Sequence, residues 1–226
     1  MEENQNFIII SEPRTGSIFT LYEYCKEYNR HAVPGLLYRP QNNFKYNDGT
    51  LLKEELKVVE WEDNEILSVL NLPNRFIGHG HWHSLPYYSN EVIDNIKNNF
   101  KIINIERNPL DQLISAIILI RRNHPLYREL QLTQEFLENK FSQESILESL
   151  DLILDWFFEM KIKSKEIKKQ FNIHKTFQYE KMSDPNFIKS RNKTKEQILS
   201  YAGGYRILEQ KLSNPKYRKI INSFRK

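Results

Sequence analysis

"FIIISEPRTGSIFTLYEY", residues 7–24, carries a run of apolar β-formers through Glu12-Pro13-Arg14-Thr15-Gly16-Ser17 directly into a helical pattern. The first five residues have the length and composition of a buried strand, and Pro13 and Gly16 then break it. Ile18, Leu21, Tyr22 and Cys25 follow at helical spacing. The start of a helix offers backbone N–H groups and the positive end of the helix dipole, and a glycine lets an anion come close to the chain. Hydroxyls at Thr15, Ser17 and Thr20 add donors, and Arg14 adds a fixed cationic fork. This is chemistry for a phosphate-like group. The loop has neither the G-x-x-x-x-G-K-[ST] spacing with its lysine nor G-x-G-x-x-G, which counts against an ordinary ATPase, GTPase or dinucleotide site.

Three further segments have strand character, at 75–79 "RFIGH", 101–106 "KIINIE" and 173–179 "IHKTFQY". Between and after them lie amphipathic stretches near 16–29, 51–71, 90–99, 109–123 and 144–170. Strands alternating with helices predict an α/β fold, a parallel β-sheet flanked by α-helices on both faces. In such a sheet the ligand sits beyond the carboxyl ends of the strands. The 226 residues are expected to form a single domain, with a long surface loop at 39–50 and a helical C-terminal portion from about residue 184.

Composition narrows the function. Hydrophobic content of 39% with 27% charged residues is that of a soluble globular protein. The net charge of +4 gathers at the end, in "NPKYRKIINSFRK", and hints at an anionic ligand. Basic residues elsewhere are scattered among almost as many acids, so no nucleic acid partner is expected. The longest apolar run, "LISAIILI", is too short to span a bilayer, and the acidic start "MEENQNF" lacks the pattern of a secretory signal. One cysteine, Cys25, forms neither an internal disulfide nor a cysteine-based zinc site. A cytoplasmic protein with Cys25 buried on its first helix is the expectation.

A second anion-type turn follows the strand expected at 101–106, in "KIINIERNPLDQLISAI". Asn108 suits an N-cap, Pro109 the first helical position and Asp111 the first turn, where its charge complements the dipole. Leu110, Leu113, Ile114, Ile117 and Ile118 form the buried stripe, and Ser115 lies off it on the flank shared with Asp111. Arg107 stands at the mouth of the strand, where it either meets a second phosphate with Ser115 or pairs with a local carboxylate such as Glu106 or Asp111.

Pro13-Arg14-Thr15-Gly16-Ser17 after a strand, then Arg107-Asn108-Pro109-Leu110-Asp111 with Ser115 about ninety residues later, resembles the paired signatures of sulfotransferases that use 3′-phosphoadenosine 5′-phosphosulfate. Tyr179-Glu180-Lys181-Met182 is similar to a further element of that family, so the resemblance runs from residue 7 to about 185. It implies a P-loop NTPase-like sulfotransferase fold. It implies that Arg14, Thr15, Gly16, Ser17 and Ile18 hold the 5′-phosphosulfate, Arg107 and Ser115 the 3′-phosphate, and that Tyr179 lies against the adenine, with no metal. Arg14 stands where the cytosolic branch carries lysine. The nearest basic counterpart of that branch's C-terminal phosphate grip is "SRNKTK" at 190–195.

"RFIGHGHWHSLP" places His79, His81 and His83 at alternate positions, so an extended chain projects all three to one side. Three such histidines can bind zinc, but they splay along a strand too far to close a tetrahedron easily. The resemblance instead implies one histidine as general base. His81, after Gly80 and twenty-six residues before Arg107, is the first choice, with His79 and His83 as rivals. The catalytic set is therefore His81, Arg14 and His79. The acceptor, a small molecule or a glycan, is expected among loops 32–50, 82–90 and 123–143. Trp82, Tyr87 and Tyr88 either line its pocket or form a homodimer contact. The competing functions are a kinase or other phosphotransferase of P-loop fold and a catalytically inactive nucleotide-binding module.

Overall fold

Five consecutive apolar or small residues leave Phe7–Ser11 buried throughout, and this segment becomes the central strand, β1, of a five-stranded sheet. The computed structural model describes residues 5–37, 61–72, 75–109, 111–113, 115–116, 143–182, 213–215 and 218. Along the chain β1 is followed by α1 (Ser17–Glu27), β2 (His31–Leu37), α2 (Asp63–Leu70) and β3 (Phe76–His81). A 3₁₀ turn (Trp82–Tyr87), α3 (Asn90–Asn99), β4 (Lys101–Glu106), α4 (Gln143–Lys168), β5 (Ile173–Gln178) and the single turn α5 (Tyr179–Met182) complete it. All pairings are parallel and the order is β2-β3-β1-β4-β5, a P-loop-like arrangement.

Alternate residues of β1 feed two cores. Ile8 and Ile10 pack with Ile66 and Leu70 of α2, Val92 and Ile96 of α3, and Ile167 of α4. Phe7 and Ile9 pack with Leu21 and Cys25 of α1 and with Tyr179. Helices thus cover both faces of the sheet, as the alternation of strands and helices predicts, and Cys25 is buried on the first helix.

Three boundaries differ from the sequence reading. Residues 32–37, assigned above to an acceptor loop, form most of β2. Pro34 and Gly35 disguise it, but β2 is an edge strand, where a missing N–H is tolerated, and a register shift between Val33 and Leu37 accommodates both residues. Strand β3 runs two residues past its expected end, which puts His79 and His81 inside the sheet. Tyr179 does not end β5 but begins a helical turn. The proposed loop at 39–50, residues 51–60 of the expected helix, residues 117–123 of another, most of the 123–143 loop, "SRNKTK" and almost all of the C-terminal portion lie outside the described residues.

The chain divides into two compact units. The first (1–42, 57–107 and 160–182) holds the entire sheet. In the second (43–56, 108–159 and 183–226), the Gln112 N–H donates to the Asn108 carbonyl at 2.9 Å, so a helix begins at Asn108-Pro109 as expected. Leu113, Ala116, Leu154, Phe157 and Phe158 are buried there, with the two phenylalanine rings edge to face at 5.6 Å. Among the described residues no helix is long and apolar enough to cross a membrane.

Candidate active site

The chain leaves β1 toward the β2 edge but leaves β3 across β1 to β4, so the carboxyl ends of β1 and β3 flank a topological switch point. Ser11 and His81 are register partners there. The backbone then turns sharply: Arg14 (φ 64°) and Gly16 (φ 85°) both adopt the left-handed conformation. Gly16 is the N-cap of α1 and no side chain caps that end, which leaves the first-turn amides available to an anion. A side chain at Gly16 would also run into the Tyr179 ring.

Gly16→Ala therefore combines left-handed strain, worth about 1–3 kcal/mol, with a collision. Urea denaturation should show a clear loss of stability, and a midpoint equal to the parent's would mean that the loop takes another form.

The hydroxyls of the loop divide by task. Thr15 is fully buried, with Oγ1 2.9 Å from the Glu12 carbonyl and 3.0 Å from Ser11 Oγ, so it fastens the loop to the strand end. Thr20 donates back to the Gly16 carbonyl at 3.3 Å. Ser17 Oγ lies 2.8 Å from His79 Nε2. Ile18, in the first turn of α1, is exposed.

The three histidines form a buried column. His79 and His81 meet edge to face with ring centroids 5.0 Å apart, and His81 stacks on His83 at 5.6 Å. His79 engages both ring nitrogens, Nδ1 with the Gly35 N–H at 3.3 Å and Nε2 with Ser17. His81 Nδ1 lies 3.1 Å from the Ser11 carbonyl, which can only accept, so the ring proton is on Nδ1 and the basic lone pair on Nε2. Among the described residues no group of three or more His, Cys, Asp or Glu side chains is placed to hold a metal ion.

Burial pushes the His81 imidazole down to about 4, against the raising effect of the Ser11 hydrogen bond and with a further lowering from the charge of Arg14. Burial, then the neighbouring His81, holds His79 well below the ordinary imidazole range, and His83 is lowered by burial, His81 and Lys163. All three are neutral at pH 7. Below about pH 6.5 the unfolded chain takes up protons that the folded chain refuses. Stability should therefore fall as pH drops from about 6.5 to about 4, by on the order of 3 kcal/mol from His81 alone. Denaturant midpoints measured across that window check the sign.

The turn after β4 closes on the same loop. Arg107 is buried, its Nη1 donates to the Arg14 carbonyl at 3.0 Å, and its guanidinium lies over the Tyr179 ring at 4.4 Å. Glu106, one of the carboxylates the sequence offered to Arg107, is instead 3.2 Å from Lys168 and 3.1 Å from Gln178. Burial works against its ionisation, but Lys168 and the hydrogen bonds from Lys168, Gln178 and Asn104 hold it below the usual carboxylate range. Asn104 in turn accepts from the fully buried Trp82 indole at 2.9 Å. This chain of contacts fixes the end of β4, and with it Arg107, to the 3₁₀ turn after β3, to β5 and to α4. Trp82 is thus a core residue rather than the wall of an acceptor pocket. Ser115 belongs to the second unit, where it is buried on the helix that starts at Asn108.

Sequence reasoning missed one element of the site. Glu12, directly after Ser11, forms a buried ion pair with Lys161 of α4. A signal was present: Lys161 falls on the apolar stripe of its helix, four residues after Phe157 and three before Ser164. A lone lysine there needs a buried partner.

No family model matches the chain, and no curated protein matches it. Among solved structures it is similar to a shikimate kinase from Bacteroides thetaiotaomicron, with 14% identity and a TM-score of 0.43 over 87% of this chain and 98% of that one. It is also similar to a sulfotransferase from Alicyclobacillus acidocaldarius, with 15% identity and a TM-score of 0.40 over 88% and 81%. Likeness at this level says nothing about activity.

Proposed function

We propose that this chain transfers a sulfuryl group from 3′-phosphoadenosine 5′-phosphosulfate to a hydroxyl or amine of a small-molecule or glycan acceptor, with His81 as general base. The observation that carries this reading is the hydrogen bond from Arg107 to the Arg14 carbonyl. Two anion-type turns lie side by side at one end of the sheet, the geometry needed by a nucleotide with a phosphate at each end of its ribose. The residues fit such a group: an uncapped helix start with a left-handed glycine on one side, a guanidinium on the other.

When bound, the nucleotide supplies the activated sulfuryl group and a phosphate leaving group. Arg14 and the amides of Ser17 and Ile18 stabilise charge that develops at the first turn, each donor contributing about 2.7–4 kcal/mol by analogy with oxyanion holes. Arg107 holds the 3′-phosphate. His81 takes the acceptor's proton on Nε2, while the Ser11 carbonyl holds the ring in the tautomer that makes this possible. Both nitrogens of His79 are engaged, one with Ser17 and one with the Gly35 N–H, which speaks against His79 as the base. Tyr179, set against the adenine by resemblance, shapes both turns through its contacts with Gly16 and Arg107.

A thermal-shift panel of adenosine 3′,5′-bisphosphate, ATP and NADH, followed by transfer of labelled sulfate onto pooled acceptors, tests this reading. The bisphosphate should give the largest shift. A larger, magnesium-dependent shift with ATP would favour a phosphotransferase instead. Arg107→Ala should weaken bisphosphate binding by about 10- to 100-fold, the worth of one hydrogen bond to a charged group. Calorimetry should also show Arg107→Lys failing to restore it, because an ammonium cannot reproduce the planar fork over Tyr179.

A further inference from the structure

Resting on the reading of the first loop as an anion cradle, we propose that His79 is a positioning residue. It makes Ser17 an obligate hydrogen-bond donor toward the bound sulfuryl or phosphoryl oxygens, and a bulge in the edge strand β2 holds it in that state. The deduction starts from a group with no choice. The Gly35 backbone N–H can only donate, so Nδ1 of His79, 3.3 Å away, must present its lone pair. The proton of the neutral ring is then on Nε2, which faces Ser17 Oγ at 2.8 Å and donates to it. Ser17 therefore accepts from His79 and keeps its own proton, for which no acceptor stands among the described residues. Ser17 is the first residue of α1, so this proton joins the uncapped amides of the same turn.

The opposite tautomer would reverse the outcome. Nε2 would consume the Ser17 proton, and the hydroxyl would turn only lone pairs toward an anion. What excludes that tautomer is the irregularity in β2. The register runs His31 to Phe76, Ala32 to Ile77 and Val33 to Gly78, then jumps to Leu37 opposite Gly80. The extra chain contains Pro34, which has no N–H, and Gly35, whose φ of 73° turns its N–H onto His79 and is a conformation glycine adopts without strain. Burial, which keeps His79 neutral, supports the same state. A pair of residues forty-four positions apart thus sets the polarity of a hydroxyl at the loop.

Two measurements on the full chain decide it. Long-range ¹H–¹⁵N spectra of the imidazoles at neutral pH, assigned with His79→Gln and His81→Asn, should show His79 protonated at Nε2 and His81 at Nδ1. This readout needs no ligand and uses the unsubstituted protein. Calorimetry with adenosine 3′,5′-bisphosphate and with inorganic sulfate forms the second arm. His79→Leu and Ser17→Ala should each weaken binding by about 10-fold or more. The double variant should lose no more than either single one. His79→Gln, whose amide still donates to Ser17, should keep most of the affinity. A proton on Nδ1 of His79, additive losses, or a Gln variant as weak as the Leu variant would overturn the proposal. If the unsubstituted chain binds neither anion, the cradle itself fails, whatever the tautomer of His79.

Discussion

His81→Ala is expected to lower kcat by about 10²- to 10⁴-fold, the usual worth of a general base, while affinity for adenosine 3′,5′-bisphosphate stays nearly unchanged. On the proposed reading the effect is large because the position of His81 fixes its tautomer. It is the last residue of β3 and register partner of Ser11, whose carbonyl takes the Nδ1 proton and leaves the lone pair on Nε2. Burial keeps the ring neutral far below pH 7, so the base is available across the physiological range. The charge of Arg14 opposes protonation of His81, and an anion bound at Arg14 offsets that charge, making the base stronger when the loop is loaded. Steady-state kinetics and calorimetry on the same preparation separate the two quantities. Loss of bisphosphate affinity in parallel with kcat would mean that His81 shapes the nucleotide site, and a fully active His81→Ala variant beside a dead His83→Ala variant would move the base to His83.

Lys161→Met should cost about 3–5 kcal/mol of stability, because it leaves the Glu12 carboxylate buried without its counter-charge. Glu12→Gln combined with Lys161→Met should recover most of that loss, since a buried pair replaced as a whole is often nearly neutral. The single variant should also weaken anion binding. Glu12 is the first residue of the turn, and its carbonyl anchors Thr15, so a displaced Glu12 carries the loop with it. Urea denaturation of Lys161→Met, Glu12→Gln and the double variant forms the cycle. A Lys161→Met protein as stable as the parent would show that water reaches the pair and that the ionic contact carries little.

The elements legible in the sequence are those written in neighbouring residues. The turn from β1 into α1 is set by Pro13, Gly16 and a helical stripe only a few residues away, and Asn108-Pro109 marks a helix start by the same local rules. The alternation of His79 and His81 fixes their common side within β3, whereas His83 lies in the 3₁₀ turn that follows, which the alternation does not foretell. Strand β2 stayed hidden because its Pro34 and Gly35 are local breakers, and only its place at the sheet edge makes them harmless. Only the resemblance set Tyr179 against the adenine, and nothing near it in the sequence says what surrounds it. It is buried between Gly16 and Arg107, contacts that span far more sequence than any periodicity can sense.

By itself the sequence determined the strand–turn–helix chemistry of the two loops, the parallel α/β plan and the short roster of candidate side chains, because each depends on spacing within one element. Only the tertiary structure decided that both ring nitrogens of His79 are engaged, how Glu12 is neutralised by a lysine 149 residues away, and that Arg107 reaches Arg14. Tautomer, ion pairing and the meeting of two loops depend on which strands lie side by side, and strand order is set by how the whole chain buries its apolar faces rather than by any local stretch.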